Sequence, residues 1–519
     1  MTAGVSPSDD TLHFVLGSFA GTELDEATRG RMGAGMPGVT LFREHNLSDR
    51  DGVTELTAQL HAAAGELPAI VAVDQEGGQL QALTGIVTDF AGGMAIAAAG
   101  DPDLARRVGH AMGLELRALG VNVNYAPVCD LLVHATNHGL SIRSFGSNPV
   151  HVAALTAATV SGLQSAGVAA TAKHFPGKGA ARVDTHYEQA IIDRSRAEFD
   201  AAELVPFTAA IDAGVRLMMS SHAIVPALSA GEPLPATRSR AVLTGLLRDE
   251  LGFDGVTITD ALDMAAVGAG AQATGSESAQ AVLAGADLLL STPVMDQAAL
   301  AAALAAAFSA DASSGPVLTS ARARVIALRR WLATFPTPDR SVVGSTAHRV
   351  LADELARRSI TDVVRSLGAS GGGTMTEPVV VEPASINLTK ADTTSDGAVS
   401  IGSELAAREC APEGVITAHS PDADDIERAA LAARGRDAVV VVTAGATEPG
   451  QLDLVRAVER RARHTTVVVA RNPLDVAYLD SSSGSRVLCT YGLTESTVRA
   501  LADVLTGAAT PSGTLPVQL

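Results

Sequence analysis

"PVHVAALTAATVSGLQSAGVAATAKHF" (149–175) decides how the first part of the chain is read. Residues 149–167 read as a helix, and Gly167 closes it because glycine takes the left-handed conformation of a helix C-cap without strain. Residues 168–175 then read as a strand. It is nearly continuous in apolar side chains and lacks the polar alternation of a half-exposed strand, so it belongs in a parallel sheet covered on both faces by helices. The strand ends on Lys173 and His174.

The same unit recurs in both directions. Strand-like runs stand at 12–19, 38–42, 69–75, 121–127, 168–175, 217–222, 255–260 and 287–291, which makes about eight. Helix-like stretches such as "DRDGVTELTAQLHAAAG", "DLARRVGHAMGLELRALG" and "SRAVLTGLLRDELG" follow most of them, several closed by glycine. The alternation predicts an α/β chain whose N-terminal part, residues 1–335, is a (β/α)8 TIM-like barrel. The prolines and small polar residues of "FPTPDRSVVGS" (335–345) mark a linker at 336–345. Residues 346–519 hold a second alternating set, with strands at 377–382, 414–418, 438–445, 465–473 and 486–492, and read as a C-terminal α/β sandwich domain. A length of 519 residues also exceeds one ordinary core.

Composition narrows the function. The net charge of −19 disfavours nucleic acid and anionic membranes as partners, and no run is apolar and long enough to span a bilayer. "MTAGVSPSDD" lacks the basic and apolar segments of a signal peptide, so the cytoplasm is the expected location. Cys129, Cys410 and Cys489 give neither a disulfide framework nor a metal spacing. No G-x-G-x-x-G fingerprint occurs in the second set, and no cofactor is expected. The oligomeric state is not legible.

A barrel places its chemistry at the C-terminal ends of its strands. Asp74 follows the third run, Asp130 and Arg143 the fourth, His222 the sixth and Asp260 the seventh, with Lys173 and His174 on the fifth. His174, His186 and His222 are candidate metal ligands, but none has the i, i+4 spacing of H-E-x-x-H and a lysine adjoins one of them, so no metal is expected. Glycoside hydrolysis fits better. It needs an acid beside the leaving oxygen and a nucleophile or base beneath the ring. Asp260 suits the nucleophile, although a helix N-cap would use the same residue type. His186 suits proton transfer near neutral pH, with Asp184 two residues earlier to orient its ring. The plain alternative for that pair is a solvated turn.

Taken together, "VAVDQEGGQ" (71–79), "VNYAPVCDL" (123–131), "IRSFG" (142–146), "KHFPGKG" (173–179), "DTH" (184–186), "SSHAIVPAL" (220–228), "PATRS" (235–239) and "ITDALDM" (258–264) resemble glycoside hydrolase family 3, in its β-N-acetylglucosaminidase (β-N-acetylhexosaminidase) branch and two-domain form. The resemblance implies a retaining exo-β-N-acetylglucosaminidase acting through a covalent glycosyl-enzyme on small oligosaccharides such as cell-wall or chitin fragments. It assigns Asp260 as nucleophile and His186 as acid/base supported by Asp184. It assigns substrate binding to Asp74, Arg143, Lys173, His174 and His222. The glycines of 177–179 predict a loop able to swing His186 toward the substrate.

The chain departs from the pattern at three places. Asn124 stands where the family often has Asp, Lys178-Gly179-Ala180-Ala181 where many members have His-Gly-Asp-Thr, and "GGQLQAL" carries no arginine. A β-glucosidase of the same family is the same-class alternative, although that branch takes its acid/base glutamate from the second domain. A histidine base would not repel an anionic acceptor, so a glycoside phosphorylase is a further alternative. An inactive sugar-binding protein is the alternative outside enzymes. Tyr491 and "GLTEST" (492–497) are candidates to approach the site from the second domain.

Overall fold

The computed structural model describes residues 11–181, 189–264, 275–311, 314–363, 375, 377–389, 392–393 and 400–519. All eight N-terminal runs contain strands, shorter than the runs themselves. They are β1 (Val15–Leu16), β2 (Gly38–Thr40), β3 (Ile70–Val73), β4 (Val123–Asn124), β5 (Ala169–Phe175), β6 (Leu217–Ser220), β7 (Val256–Thr259) and β8 (Leu289–Leu290). β2 through β7 pair in chain order as one parallel sheet. β1 pairs in parallel with β8. Single parallel bridges, Gly17–Val39 and Ile258–Leu288, tie this pair to both edges of the larger sheet.

The result is an α/β fold built on a curled parallel sheet. Along β3, Ile70 and Ala72 join one buried cluster with Leu16, Val123, Ala169, Leu217, Val256 and Leu290, whereas Val71 and Val73 join a second one with the surrounding helices. Residues of opposite parity therefore face opposite sides, as the pleat requires. Leu328 and Leu332, from the helix Gly315–Leu332, pack into the first cluster.

Helix starts follow their chemistry. Asp101 and Asn148 accept hydrogen bonds from backbone N–H groups of the helices Pro102–Ala118 and Pro149–Ser165, each with proline in the first turn. Such caps contribute ~1 kcal/mol each. These two helices pack so closely that a Cβ on Gly162 would lie 2.2 Å from the Arg106 carbonyl oxygen.

The second alternating set forms β9 (Thr361–Asp362), β10 (Val379–Pro383), β11 (Glu413–Thr417), β12 (Asp437–Val442), β13 (His464–Val469) and β14 (Arg486–Cys489). Their order in the sheet is β9-β14-β13-β12-β10-β11, parallel except for the β9–β14 pair. Val379 and Val381 face one apolar cluster and Val380 the other, so both faces of this sheet are buried.

The helix Thr346–Ser359 ends where the β-branched residues Ile360 and Thr361 lead into edge strand β9. The segment read as a linker contains the short turn Arg340–Val342, and Arg340 pairs with Asp51. The stretch 366–376 lies, apart from Met375, outside the described residues.

Loops at the carboxyl ends of the second sheet touch loops of the first. His138 Nε2 lies 2.9 Å from Thr447 Oγ1, Asn472 donates to the Ala135 carbonyl at 2.8 Å, and Gln81 N donates to Thr393 Oγ1 at 2.7 Å. Among the described residues, no helix is long and apolar enough to cross a membrane.

Candidate active site

β3, β5 and β7 deliver their terminal side chains to one end of the curled sheet, where two linked clusters form. The first is an ion network. Lys173, only 2% exposed, lies 2.6 Å from Asp74 and 2.5 Å from Glu76. Arg143 donates from Nε and Nη2 to the two oxygens of Glu76, both at 2.8 Å, and from Nη1 to the Gly139 carbonyl. Glu76 belongs to a two-stranded hairpin, Gln75–Gly77 with Leu80–Gln81, that the sequence reading missed.

Burial alone would raise the Glu76 carboxyl, but Arg143 and Lys173 outweigh it and lower its pKa to about 2. For Lys173, burial opposes the charge, yet Asp74 and Glu76 outweigh it and hold the ammonium above its ordinary value. Asp74 is the open member, with 29% of its side chain exposed. It presents a carboxylate beside a buried ammonium, an arrangement that suits a polyol.

The second cluster surrounds Asp260. Its Oδ1 accepts from the Ala261 N–H at 2.9 Å. Its Oδ2 lies 3.9 Å from His174 Nε2 and 3.8 Å from Lys178 Nζ. Fully buried Asp130 positions both neighbours. It accepts from His174 Nδ1 at 2.7 Å and from the Lys178 N–H at 2.7 Å. The proton on Nδ1 fixes the ring so that Nε2 is the edge turned toward Asp260. The loop can follow this course only with glycine at 179, because a Cβ there would lie 1.8 Å from the Leu131 carbonyl oxygen.

His222 is buried behind this cluster. The Ala261 carbonyl can only accept, so His222 Nε2 carries a proton across 3.1 Å, and Nδ1 lies 2.9 Å from Thr237 Oγ1. Burial holds its pKa below the ordinary histidine value. Both ring nitrogens thus face protein groups, and the residue supports the turn that carries Asp260. Tyr491 does not approach the site: it is fully buried and donates to Thr361 Oγ1 at 2.7 Å.

The structure thus joins Asp74, Arg143 and Lys173 in one network and His174 with Asp260 in the other. Asp184 and His186 lie outside the described residues. Sequence reasoning missed Glu76, whose signal was an acid inside a buried "DQEGG" strand end. It also treated Lys178 only as a departure from a pattern. Among the described residues, no group of three or more His, Cys, Asp or Glu side chains is placed to hold a metal ion.

Residues 30–328 match the family model described as the glycosyl hydrolase family 3 N-terminal domain. The chain belongs to glycoside hydrolase family 3. The chain of this family-3 protein is 35% identical over 355 residues to a β-hexosaminidase A of Pseudoalteromonas piscicida, covering 63% of this chain and 59% of that protein. It is 41% identical over 254 residues to a β-hexosaminidase of Stenotrophomonas maltophilia, covering 48% of this chain and 74% of that one. Across both sheets it is similar to the structure of a family 3 β-N-acetylglucosaminidase from Paenibacillus, with a TM-score of 0.91, 32% identity and 99% of each chain covered.

The Glu76 network carries a stability prediction. Its folded pKa is lowered from 4.5 to about 2, so its stabilisation is complete above about pH 4.5 and is lost as pH falls toward 2. Glu76→Gln leaves two buried cations under-compensated and should cost roughly 3–5 kcal/mol. Thermal unfolding followed from pH 7 to 3 should show the variant melting lower at neutral pH with a flatter acid limb. An unchanged curve would mean that the network contributes nothing.

Proposed function

We propose that this protein is a retaining exo-β-N-acetylglucosaminidase that removes terminal N-acetylglucosamine from small oligosaccharides such as cell-wall or chitin fragments. The observation that carries the reading is Asp260, a carboxylate set between His174 and Lys178 beside the Asp74–Lys173 pair. The likeness to β-hexosaminidases and to a β-N-acetylglucosaminidase structure supports the substrate class. The strand pairings support a (β/α)8 barrel at 1–335, with a linker at 336–345 and an α/β sandwich at 346–519.

In the proposed reaction Asp260 attacks the anomeric carbon while His186, oriented by Asp184, protonates the departing oxygen. The covalent glycosyl-enzyme is then opened by water, with His186 acting as base. Asp74 and Lys173 hold the sugar hydroxyls, and Arg143 acts through Glu76 to keep Lys173 in place. His174 contacts the sugar next to the nucleophile. His222 holds the Ala261 turn.

Initial rates on paired aryl β-glycosides test the substrate. A strong preference for the N-acetylglucosaminide over the glucoside is expected, and equal rates or a glucoside preference would overturn the assignment. A phosphate arm at constant ionic strength separates hydrolysis from phosphorolysis: glycosyl phosphate appears only if phosphate serves as acceptor.

Lys178 gives a second test. An ammonium 3.8 Å from Asp260 favours the ionised carboxylate. Lys178→Met should move the acid limb of kcat/KM to higher pH, and Lys178→Arg should leave it nearly in place. Coincident limbs in the wild type and Lys178→Met would remove Lys178 from this role.

A further inference from the structure

The second sheet has a crevice of its own. From β10 the chain passes to edge strand β11, then returns across β10 to β12 and continues outward to β13 and β14. The border between β10 and β12 is therefore a topological switch point. Open α/β sheets bind ligands outside the carboxyl ends of their strands at such points. A cavity of about 410 Å3 lies there, between the carboxyl ends of β10, β12, β13 and β14 and the loops of the N-terminal part that carry Gln79, Asp89 and Ile142. Asp74, Lys173, His174 and Asp260 are not among the residues lining it.

The chemistry of the wall is one-sided. Asp89, Glu382 and Glu495 supply three carboxylates. The guanidinium, Arg471, is already paired with buried Asp392. Gln79 is 2% exposed, and its Nε2 donates to the His138 carbonyl at 3.4 Å, which directs Oε1 the other way. Gln79 Oε1 and Asp89 Oδ1 are buried acceptors with no hydrogen-bond partner among the described residues, and His419 Nε2 is a third unpartnered atom on the same wall. An unsatisfied buried acceptor costs about 1–3 kcal/mol, so two on one cavity wall call for a donor. Burial also holds the carboxyls of Asp89 and Glu382 above their ordinary values, and a cation in the cavity would favour their ionised forms. The turn after β10, "EPASIN", has no glycine to cradle a phosphate, and the acidic wall repels one.

We propose that this crevice binds a small organic cation carrying hydroxyl hydrogen-bond donors, an amino alcohol in chemical class. Its ammonium faces Asp89 and Glu382, its hydroxyls reach Gln79 Oε1, and its carbon skeleton lies on the apolar wall of Ile401 and Val441. Occupancy bears on the active site through one hairpin. Gln79 is three residues from Glu76, and Thr393 clamps the hairpin by donating to the Gln79 carbonyl at 3.0 Å. The binding claim is independent of the proposed activity; only the effect on turnover rests on it.

Titration calorimetry on the full chain tests the binding with two probes of nearly equal shape, 2-amino-1,3-propanediol and glycerol, which differ in an ammonium against a hydroxyl. The amine should bind at least ~10-fold more tightly than glycerol. Glu382→Gln and, as a second variant, Asp89→Asn should each weaken the amine by ~10-fold with an unchanged circular dichroism spectrum. Asp260→Asn should bind it as the wild type does. Equal affinity for the two probes, no binding of the amine, indifference to both cavity variants, or loss in Asp260→Asn would each overturn the proposal.

Discussion

Asp260→Asn should lose roughly 10⁴-fold or more in kcat on an aryl β-N-acetylglucosaminide, with folding intact. The amide is nearly isosteric and can still accept from the Ala261 N–H as Oδ1 does at 2.9 Å. It cannot form the glycosyl ester. His174 and Lys178 would then face a neutral group, so the loss combines the missing nucleophile with a lost charge pairing. Azide separates these roles. Added to Asp260→Gly, where a cavity replaces the carboxylate, azide should restore turnover and give the α-glycosyl azide, because it attacks from the face that Asp260 vacates. No rescue, together with a loss below ~10²-fold, would return Asp260 to the role of a helix cap.

His186→Ala should lose ~10²–10⁴-fold, in proportion to how much the leaving group needs a proton. The loss should be large for a natural disaccharide or a 4-methylphenyl glycoside and small for a 2,4-dinitrophenyl glycoside, whose aglycone departs without help. Azide should give the β-glycosyl azide here, the opposite anomer from that of the nucleophile variant. Asp184→Asn should lose less than His186→Ala and shift the pH profile, as expected of a residue that orients the ring. An equal loss across all three leaving groups would mean that another residue supplies the proton.

The strand frame was legible because fully buried parallel strands leave uninterrupted apolar runs, and all eight N-terminal runs contain strands. The strand-end acids and bases were legible for the same reason: a charge at the end of such a run has few structural uses. Their partnerships were not. Arg143 meets Glu76 across 67 residues and Lys173 meets Asp74 across 99, separations at which no local periodicity carries a signal. Arg143 was therefore legible only as a single residue, Glu76 was missed, and the clamp they form was not legible. Lys178 read as a lost histidine, although its position beside Asp260 makes it a cation near the proposed nucleophile. The edge strand β9 was hidden because two residues at a helix end say nothing about a strand 124 positions away, where Arg486 meets Asp362.

The first-formed anomer of the product tests the central claim most directly. Proton NMR of a fresh reaction on 4-nitrophenyl β-N-acetylglucosaminide, recorded before mutarotation, should show the β anomer of free N-acetylglucosamine. That outcome requires two displacements, the first by an internal nucleophile, which we assign to Asp260 and which the azide product of Asp260→Gly distinguishes from the substrate's own acetamido group. The α anomer appearing first would show a single displacement by water and would contradict the account.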